Sequence, residues 1–210
     1  MIKCVIFDCD GTLVDSEYLC SLGFELLLKN YGVHANANEM VDEFRGKKLD
    51  LILRSLESKY KIKLADDFVI SYREQVSNLF ETDLRAFDGV REALSSIDLA
   101  MCVASSGPRE KILKSLRLTD LEEYFSDNIY SAYDINSWKP EPDLFIHAAN
   151  EMGFKASECA VVEDSVVGIR AAKSANMKAI LFDPNKQGSL DSSVTCIHNM
   201  CDLKNILVRT

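Results

Sequence analysis

The stretch "IKCVIFDCDGTLVDSE", residues 2–17, decides how this chain folds. An apolar run of strand length ends in two aspartates, Asp8 and Asp10, followed by Gly11 and Thr12. Aspartate has low β propensity, and an i, i+2 pair shares one side of an extended backbone while Cys9 points away. The pair therefore ends the strand and leaves three readings: an Asp-rich turn, a metal site, or a pair that does chemistry. A calcium loop would use Asp8, Asp10, Gly11 and Glu17 as its third, fifth, sixth and twelfth positions. It would put Ile6 first, where a ligand is required, and a strand where the motif needs a helix. That reading fails.

Working outward, strand-length apolar runs recur at 99–104 ("LAMCVA"), 159–162 ("CAVV") and 178–182 ("KAILF"). Helical patterns lie between them. "FDGVREALSSI" opens with Asp88 as N-cap, and "TDLEEYF" sets Thr119 and Glu122 at capping-box spacing. "PDLFIHAANEMG" has Pro142 where a helix starts and Gly153 where it ends. Nearly continuous apolar strands alternating with helices predict an α/β fold, a doubly wound, Rossmann-like parallel sheet covered on both faces. Residues 16–82 differ: "EYLCSLGFELLLKNYG", "LDLILRSLESKY" and "DDFVISYREQVSNLF" are helical patterns, with no convincing strand among them. The expected organisation is a catalytic core of residues 1–15 and 83–210 and an inserted α-helical cap domain, 16–82. Ligands of open parallel sheets bind beyond the carboxyl ends of the strands, so a cap inserted after the first strand is expected over that crevice.

Composition narrows the function. Among 210 residues, 47% are apolar and 27% charged, which excludes disorder. Lys and Arg number 24 against 33 Asp and Glu, a formal charge of −9 that argues against nucleic acid or an acidic membrane as partner. Seven cysteines, an odd count without a CxxC pair, suggest neither a disulfide framework nor a zinc ribbon. Reduced thiols and a cytoplasmic protein are expected. Lys3, Asp8 and Asp10 interrupt the N-terminal apolar residues too early for a signal peptide, and no run approaches the roughly 18 apolar residues of a membrane span. A monomer or weak homo-oligomer acting on a small molecule is the expectation.

Four groups of polar residues fall just after expected strands: Asp8 and Asp10; Ser105, Ser106 and Gly107; Lys139; and Glu163 with Asp164. Singly each is ordinary. "ASSGP" is a loop before a helix, "KPEP" a Pro-rich turn, and "EDS" a good helix N-terminus. Their shared position after strands makes coincidence a poor explanation. Carboxylates converging at one sheet edge repel unless a cation joins them, and hard oxygen ligands suit Mg²⁺, which also binds phosphate. Serine hydroxyls and Lys139 then supply donors and positive charge for phosphate oxygens.

Together "DCDGT", "VASS", "WKPEPD" and "VVEDSVVGIRAA" resemble the four motifs of the haloacid dehalogenase-like hydrolases, with the helical insertion of members whose cap lies between the first and second motifs. The resemblance covers nearly the whole chain. It implies that Asp8 is the nucleophile that becomes an aspartyl phosphate and that Asp10 is the acid and base. It implies Mg²⁺ held by Asp8, the Asp10 carbonyl and Asp164, with Glu163 direct or through water. The phosphoryl group falls to Gly11, Thr12, Ser105, Ser106 and Lys139. "DCDGTLVDSE", "FRGKKL" and "YDINSWKPEP" are most similar to members acting on sugar or sugar-acid phosphates such as 6-phosphogluconate. Substrate selection is then expected from Glu17, Arg45, Gly46, Lys47, Lys48 and Trp138. The competing readings are a sugar phosphomutase of the β-phosphoglucomutase type, which shares the motifs, and a receiver-like phospho-accepting module. Receivers carry their acceptor after an internal strand and have no such helical insertion.

Overall fold

The computed structural model describes residues 1–186, 188 and 193–208. The expected core ran to residue 210, so Gln187, residues 189–192 and the last two positions lie outside that description. Six strands form one sheet: β1 (Cys4–Phe7), β2 (Ala100–Ser105), β3 (Ile129–Ser131), β4 (Cys159–Glu163), β5 (Lys178–Phe182) and β6 (Thr195–Ile197). All neighbours are parallel, in the order β3-β2-β1-β4-β5-β6. This is the Rossmann order, whose strand sequence reverses between β1 and β4 and so opens a crevice beyond their carboxyl ends. Asp8 follows β1 and Glu163 ends β4.

The chain divides into two compact units, one of Met1–Asp15 with Arg85–Thr210 and one of Ser16–Leu84. The sheet unit carries α5 (Val90–Ser96), α6 (Arg109–Leu118), α7 (Ala132–Ile135), α8 (Asp143–Glu151), α9 (Val166–Ser174) and α10 (Leu203–Val208), numbered after the four helices of the other unit. Side chains alternate along β1, and Cys4 and Ile6 enter a core with Cys102, Val161, Leu144, Phe145 and Ala172. Phe7, one residue out of phase, meets Phe125 edge-on at 5.9 Å. Both faces of β1 are thus buried, which is why it reads as an unbroken apolar run. All seven cysteines are free, and Cys4, Cys102 and Cys159 fill core positions as small apolar side chains.

The helical unit contains α1 (Glu17–Leu28), α2 (Ala37–Phe44), α3 (Leu49–Tyr60) and α4 (Phe68–Asp83). Its core is aromatic: Phe24 of α1 stacks on Tyr72 of α4 at 3.9 Å and meets Phe44 of α2 edge-on at 6.1 Å. Gly23 makes the close approach possible, since a Cβ there would stand 2.7 Å from Val76 Cγ2. No helix among the described residues is long and apolar enough to cross a membrane.

Two expected caps are replaced. Gly89, not Asp88, caps α5, in a left-handed conformation (φ +80°). A side chain at that glycine would collide with Asn199 Oδ1 and Cys201 Sγ, so close packing against the C-terminal segment selects the residue. Thr119 forms no capping box. Its hydroxyl donates back to the Ser115 carbonyl at 2.8 Å and closes α6, while Glu122 meets Arg117 at 3.2 Å.

Candidate active site

The turn after β1 is organised by one carbonyl. Asp8 remains in the sheet, its N–H donating to Val162 O at 3.0 Å, and the N–H groups of Leu13 and Val14 then both donate to Cys9 O. Gly11 takes a positive φ of +76°, and a Cβ there would stand 2.4 Å from Asp164 Oδ2. Only glycine admits both that backbone and the carboxylate beside it. Thr12, fully buried, donates its hydroxyl to Asp164 Oδ1 at 3.4 Å.

Lys139, in the connection between α7 and α8, joins the two sheet ends. Its Nζ donates to Asp8 Oδ1 at 2.6 Å and Glu163 Oε1 at 2.7 Å, and lies 4.9 Å from the centre of the Phe145 ring. Glu163 spends its other oxygen on Ser165, accepting from the backbone N–H at 2.7 Å and the hydroxyl at 2.8 Å. Ser165 Oγ in turn accepts from Gly168 N–H at 3.1 Å and so caps α9. Asp8, Glu163 and Asp164 each bring a carboxylate oxygen within 4.8 Å of the others.

Burial, together with Glu163 and Asp10, pushes the Asp8 carboxyl up to about 7, although the Lys139 ammonium opposes it. Burial also works against the Lys139 charge, but Asp8 and Glu163 outweigh it and hold Lys139 above the usual lysine range. Burial, then Asp10 and Asp8, push the Cys9 thiol well above its ordinary value, which keeps it a neutral, unreactive thiol. Three carboxylates against one ammonium leave a formal excess of two negative charges in a site where Asp8, Glu163 and Asp164 are all buried. A hard oxygen donor set with that deficit fits a divalent cation.

The remaining expected residues are placed as follows. Ser105 ends β2, is buried, and accepts from Gly107 N–H at 3.2 Å; Ser106, half-buried, follows it. Trp138 packs beside the core and meets Tyr133 edge-on at 5.3 Å. In the helical unit Glu17 opens α1, and Arg45, Gly46, Lys47 and Lys48 connect α2 to α3. There Arg45 lies 3.6 Å from Asp42, and Lys47 stands 5.9 Å over the Phe44 ring.

One residue escaped the sequence reading. Lys111, in the first turn of α6, reaches Asp10 Oδ1 at 2.8 Å. A cation there opposes the helix dipole, at roughly 0.3–1 kcal/mol when exposed, so "PREK" opening a helix was a signal that an anion waits nearby. Arg109, the other early cation, is held by the Ile129 carbonyl.

Comparison with known proteins agrees with this geometry. The family model described as haloacid dehalogenase-like hydrolase matches residues 5–182. A 6-phosphogluconate phosphatase of Escherichia coli K12 is 35% identical over 98% of this chain and 94% of its own length. A phosphorylated carbohydrates phosphatase of Thermotoga maritima is 29% identical over 85% of this chain and 84% of its own. The crystal structure of a haloacid dehalogenase-like protein of unknown function from Agrobacterium tumefaciens matches with a TM-score of 0.86 at 32% identity, covering 100% of this chain and 99% of that one. The chain belongs to the haloacid dehalogenase-like hydrolases and is homologous to phosphatases of that family.

Two outcomes follow from the packing and the charges. A Cβ on Gly168 would stand 1.9 Å from Glu163 Cδ, so Gly168→Ala must push Glu163 off Lys139 and Ser165. Helix propensity alone would make that change stabilising by about 1 kcal/mol. Disturbing the buried pair instead makes it destabilising by about 2 kcal/mol or more. In a Glu163→Ala background the same substitution becomes neutral or stabilising; chemical denaturation of the four proteins measures the cycle.

The raised carboxyl of Asp8 sets a stability trend. Its folded value of about 7 exceeds the ordinary 3.8, so the folded state holds the proton more tightly. That contribution is complete below about 3.8 and is lost as pH rises to about 7. Without divalent cation, wild type should lose stability relative to Asp8→Asn across that window. A difference in melting temperature that stays constant with pH would contradict the assignment.

Proposed function

We propose that the protein is a Mg²⁺-dependent phosphatase that hydrolyses a sugar or sugar-acid phosphate through an aspartyl phosphate on Asp8. The observation that carries the reading is Lys139, lodged between Asp8 and Glu163 with Asp164 alongside, where the strand order reverses. Homology to a 6-phosphogluconate phosphatase and to a phosphorylated carbohydrates phosphatase supports the substrate class. Free, mostly buried thiols support a reducing compartment such as the cytoplasm.

In the first step an Asp8 carboxylate oxygen forms a bond to phosphorus, the ester P–O bond breaks, and Asp10 gives its proton to the leaving oxygen. In the second, Asp10 takes a proton from water as the water oxygen bonds to phosphorus. The bond to Asp8 then breaks, inorganic phosphate leaves, and both aspartates regain their starting forms. Lys139, Ser105 and Ser106 bind the phosphoryl oxygens, with the Gly11–Thr12 turn shaping the approach. Such fixed donors matter most for phosphoryl transfer, where the protein's contribution is mainly positioning and electrostatic. Asp8, Asp164 and the Asp10 carbonyl would hold Mg²⁺, which would supply charge that relieves repulsion between Asp8 and an anionic substrate and stabilises the phosphoryl group. Glu163, with Lys139 and Ser165 on its two oxygens, orients the lysine and would serve the ion directly or through water.

The basic turn Arg45-Gly46-Lys47-Lys48 is proposed to select substrate by attracting a second anion such as a sugar-acid carboxylate. Three cations within four residues support this, as does a relative that acts on 6-phosphogluconate, whose acid end is anionic.

Purified Asp8→Asn should fold and show no turnover with Mg²⁺ present; near-wild-type phosphate release would remove the proposed nucleophile. A screen of phosphorylated metabolites, 6-phosphogluconate included, should find phosphate released without a bisphosphate activator. Lys47→Ala and Lys48→Ala should lower kcat/KM for sugar-acid phosphates by about tenfold while changing a small aryl phosphate little, in line with the loss of one or two partly exposed charge contacts. Equal losses on both substrates would remove selection by this turn.

A further inference from the structure

Asp10 does not stand alone at the sheet edge. Lys111 Nζ is 2.8 Å from its Oδ1, with the lysine side chain 26% and the aspartate side chain 18% exposed. The other carboxylate oxygen, Oδ2, faces Gly107, as does Ser105 Oγ. A Cβ on Gly107 would stand 3.6 Å from each of those oxygens and 3.7 Å from Lys111 Cδ. The Gly107 loop is itself pinned, its carbonyl accepting from the Ser131 hydroxyl at 2.7 Å. Lys111 is carried on α6, a ten-residue helix packed on β3 and fixed at its start by Arg109 and the Ile129 carbonyl.

We propose that Lys111 is a positioning residue for Asp10: it holds Oδ1 so that Oδ2 is the oxygen that gives the proton to the leaving group. This rests on the acid–base reading of Asp10 given above. As the ester bond breaks, the proton moves from Asp10 Oδ2 to the leaving oxygen, and the carboxylate left behind is met by the Lys111 ammonium. In the reacting complex, where Asp10 carries the proton, that charge develops only as the proton moves, so the contact strengthens between the bound substrate and the transition state, which is the condition for it to accelerate the step. The lysine donates no proton in this scheme and touches neither substrate nor phosphorus.

Leaving groups of graded acidity separate this role from a merely structural tie between the β1 turn and α6. A good leaving group departs without a proton, and a poor one cannot. kcat/KM reports the first chemical step, so it is measured with Mg²⁺ for aryl and alkyl monophosphates spanning a wide range of leaving-group acidity. Wild type, Lys111→Met, Lys111→Arg and Asp10→Asn are compared. Lys111→Met is expected to lose about tenfold or more on alkyl phosphates, less than about threefold on the most activated aryl phosphate, and to steepen the leaving-group dependence. Lys111→Arg keeps the cation and should restore most of the loss. A uniform loss across the series, or no loss at all, would overturn the role of Lys111. Asp10→Asn should give the steepest dependence of the four. If it does not, the acid assignment itself falls; if it does while Lys111→Met stays parallel to wild type, only the lysine's part is removed.

Discussion

The buried Lys139 ammonium, 2.6 Å from Asp8 and 2.7 Å from Glu163, is the interaction on which the rest of the site depends. It ties the end of β1 to the end of β4, the two strands between which the sheet order reverses. Three charges so far from water are tolerable only in contact, because removing one partner of such a group leaves an uncompensated buried charge and costs about 3–5 kcal/mol. The local structure follows from keeping them together. Glu163 is held from behind by Ser165, Ser165 by the first turn of α9, and α9 lies close enough only because residue 168 has no side chain. On the other side Gly11 lets the Asp164 carboxylate come against the turn.

The same contacts that hold the fold also leave it unbalanced. Lys139 offsets one of the three carboxylates, and two formal negative charges remain beyond the ends of β1 and β4. A site arranged in this way is incomplete as an electrostatic object. It is best explained by chemistry that brings cationic charge and phosphate together, which is the chemistry of the family. Asp10, two residues beyond Asp8 and paired with Lys111, stays closer to solvent, as the acid and base role proposed for it requires.

Much of this was legible in the sequence, for identifiable reasons. β1, β2 and β4 are buried on both faces and β5 on one with the other half-buried, so all four read as apolar runs; their ends fixed where Asp8, Ser105 and Glu163 stand. β3 and β6 were not legible, since "IYS" and "TCI" are too short to show a period and lie at the sheet edges. α2 escaped for a different reason: "ANEMVDEF" buries only Ala37, Met40 and Phe44 and is otherwise polar. The Gly89 cap depends on tertiary neighbours, Asn199 and Cys201, that no local pattern announces, whereas the Thr119 back-bond to Ser115 is a local alternative to the capping box open to the same hydroxyl. Within the site, the motif residues were readable from their position after strands. The Lys139 bridge and the Lys111–Asp10 pair were not, because each joins residues more than a hundred positions apart.

The central claim is that Asp8 accepts the phosphoryl group covalently, and the most direct measurement is to trap it there. Asp10→Asn should form the intermediate from an activated aryl phosphate, which needs no proton for its leaving group, and should hydrolyse it slowly. After rapid acid quench, mass spectrometry of proteolytic fragments is expected to find one phosphoryl group on Asp8. A phosphoryl group on any other residue, or inorganic phosphate formed in a single turnover with no covalent species at any time, would contradict it.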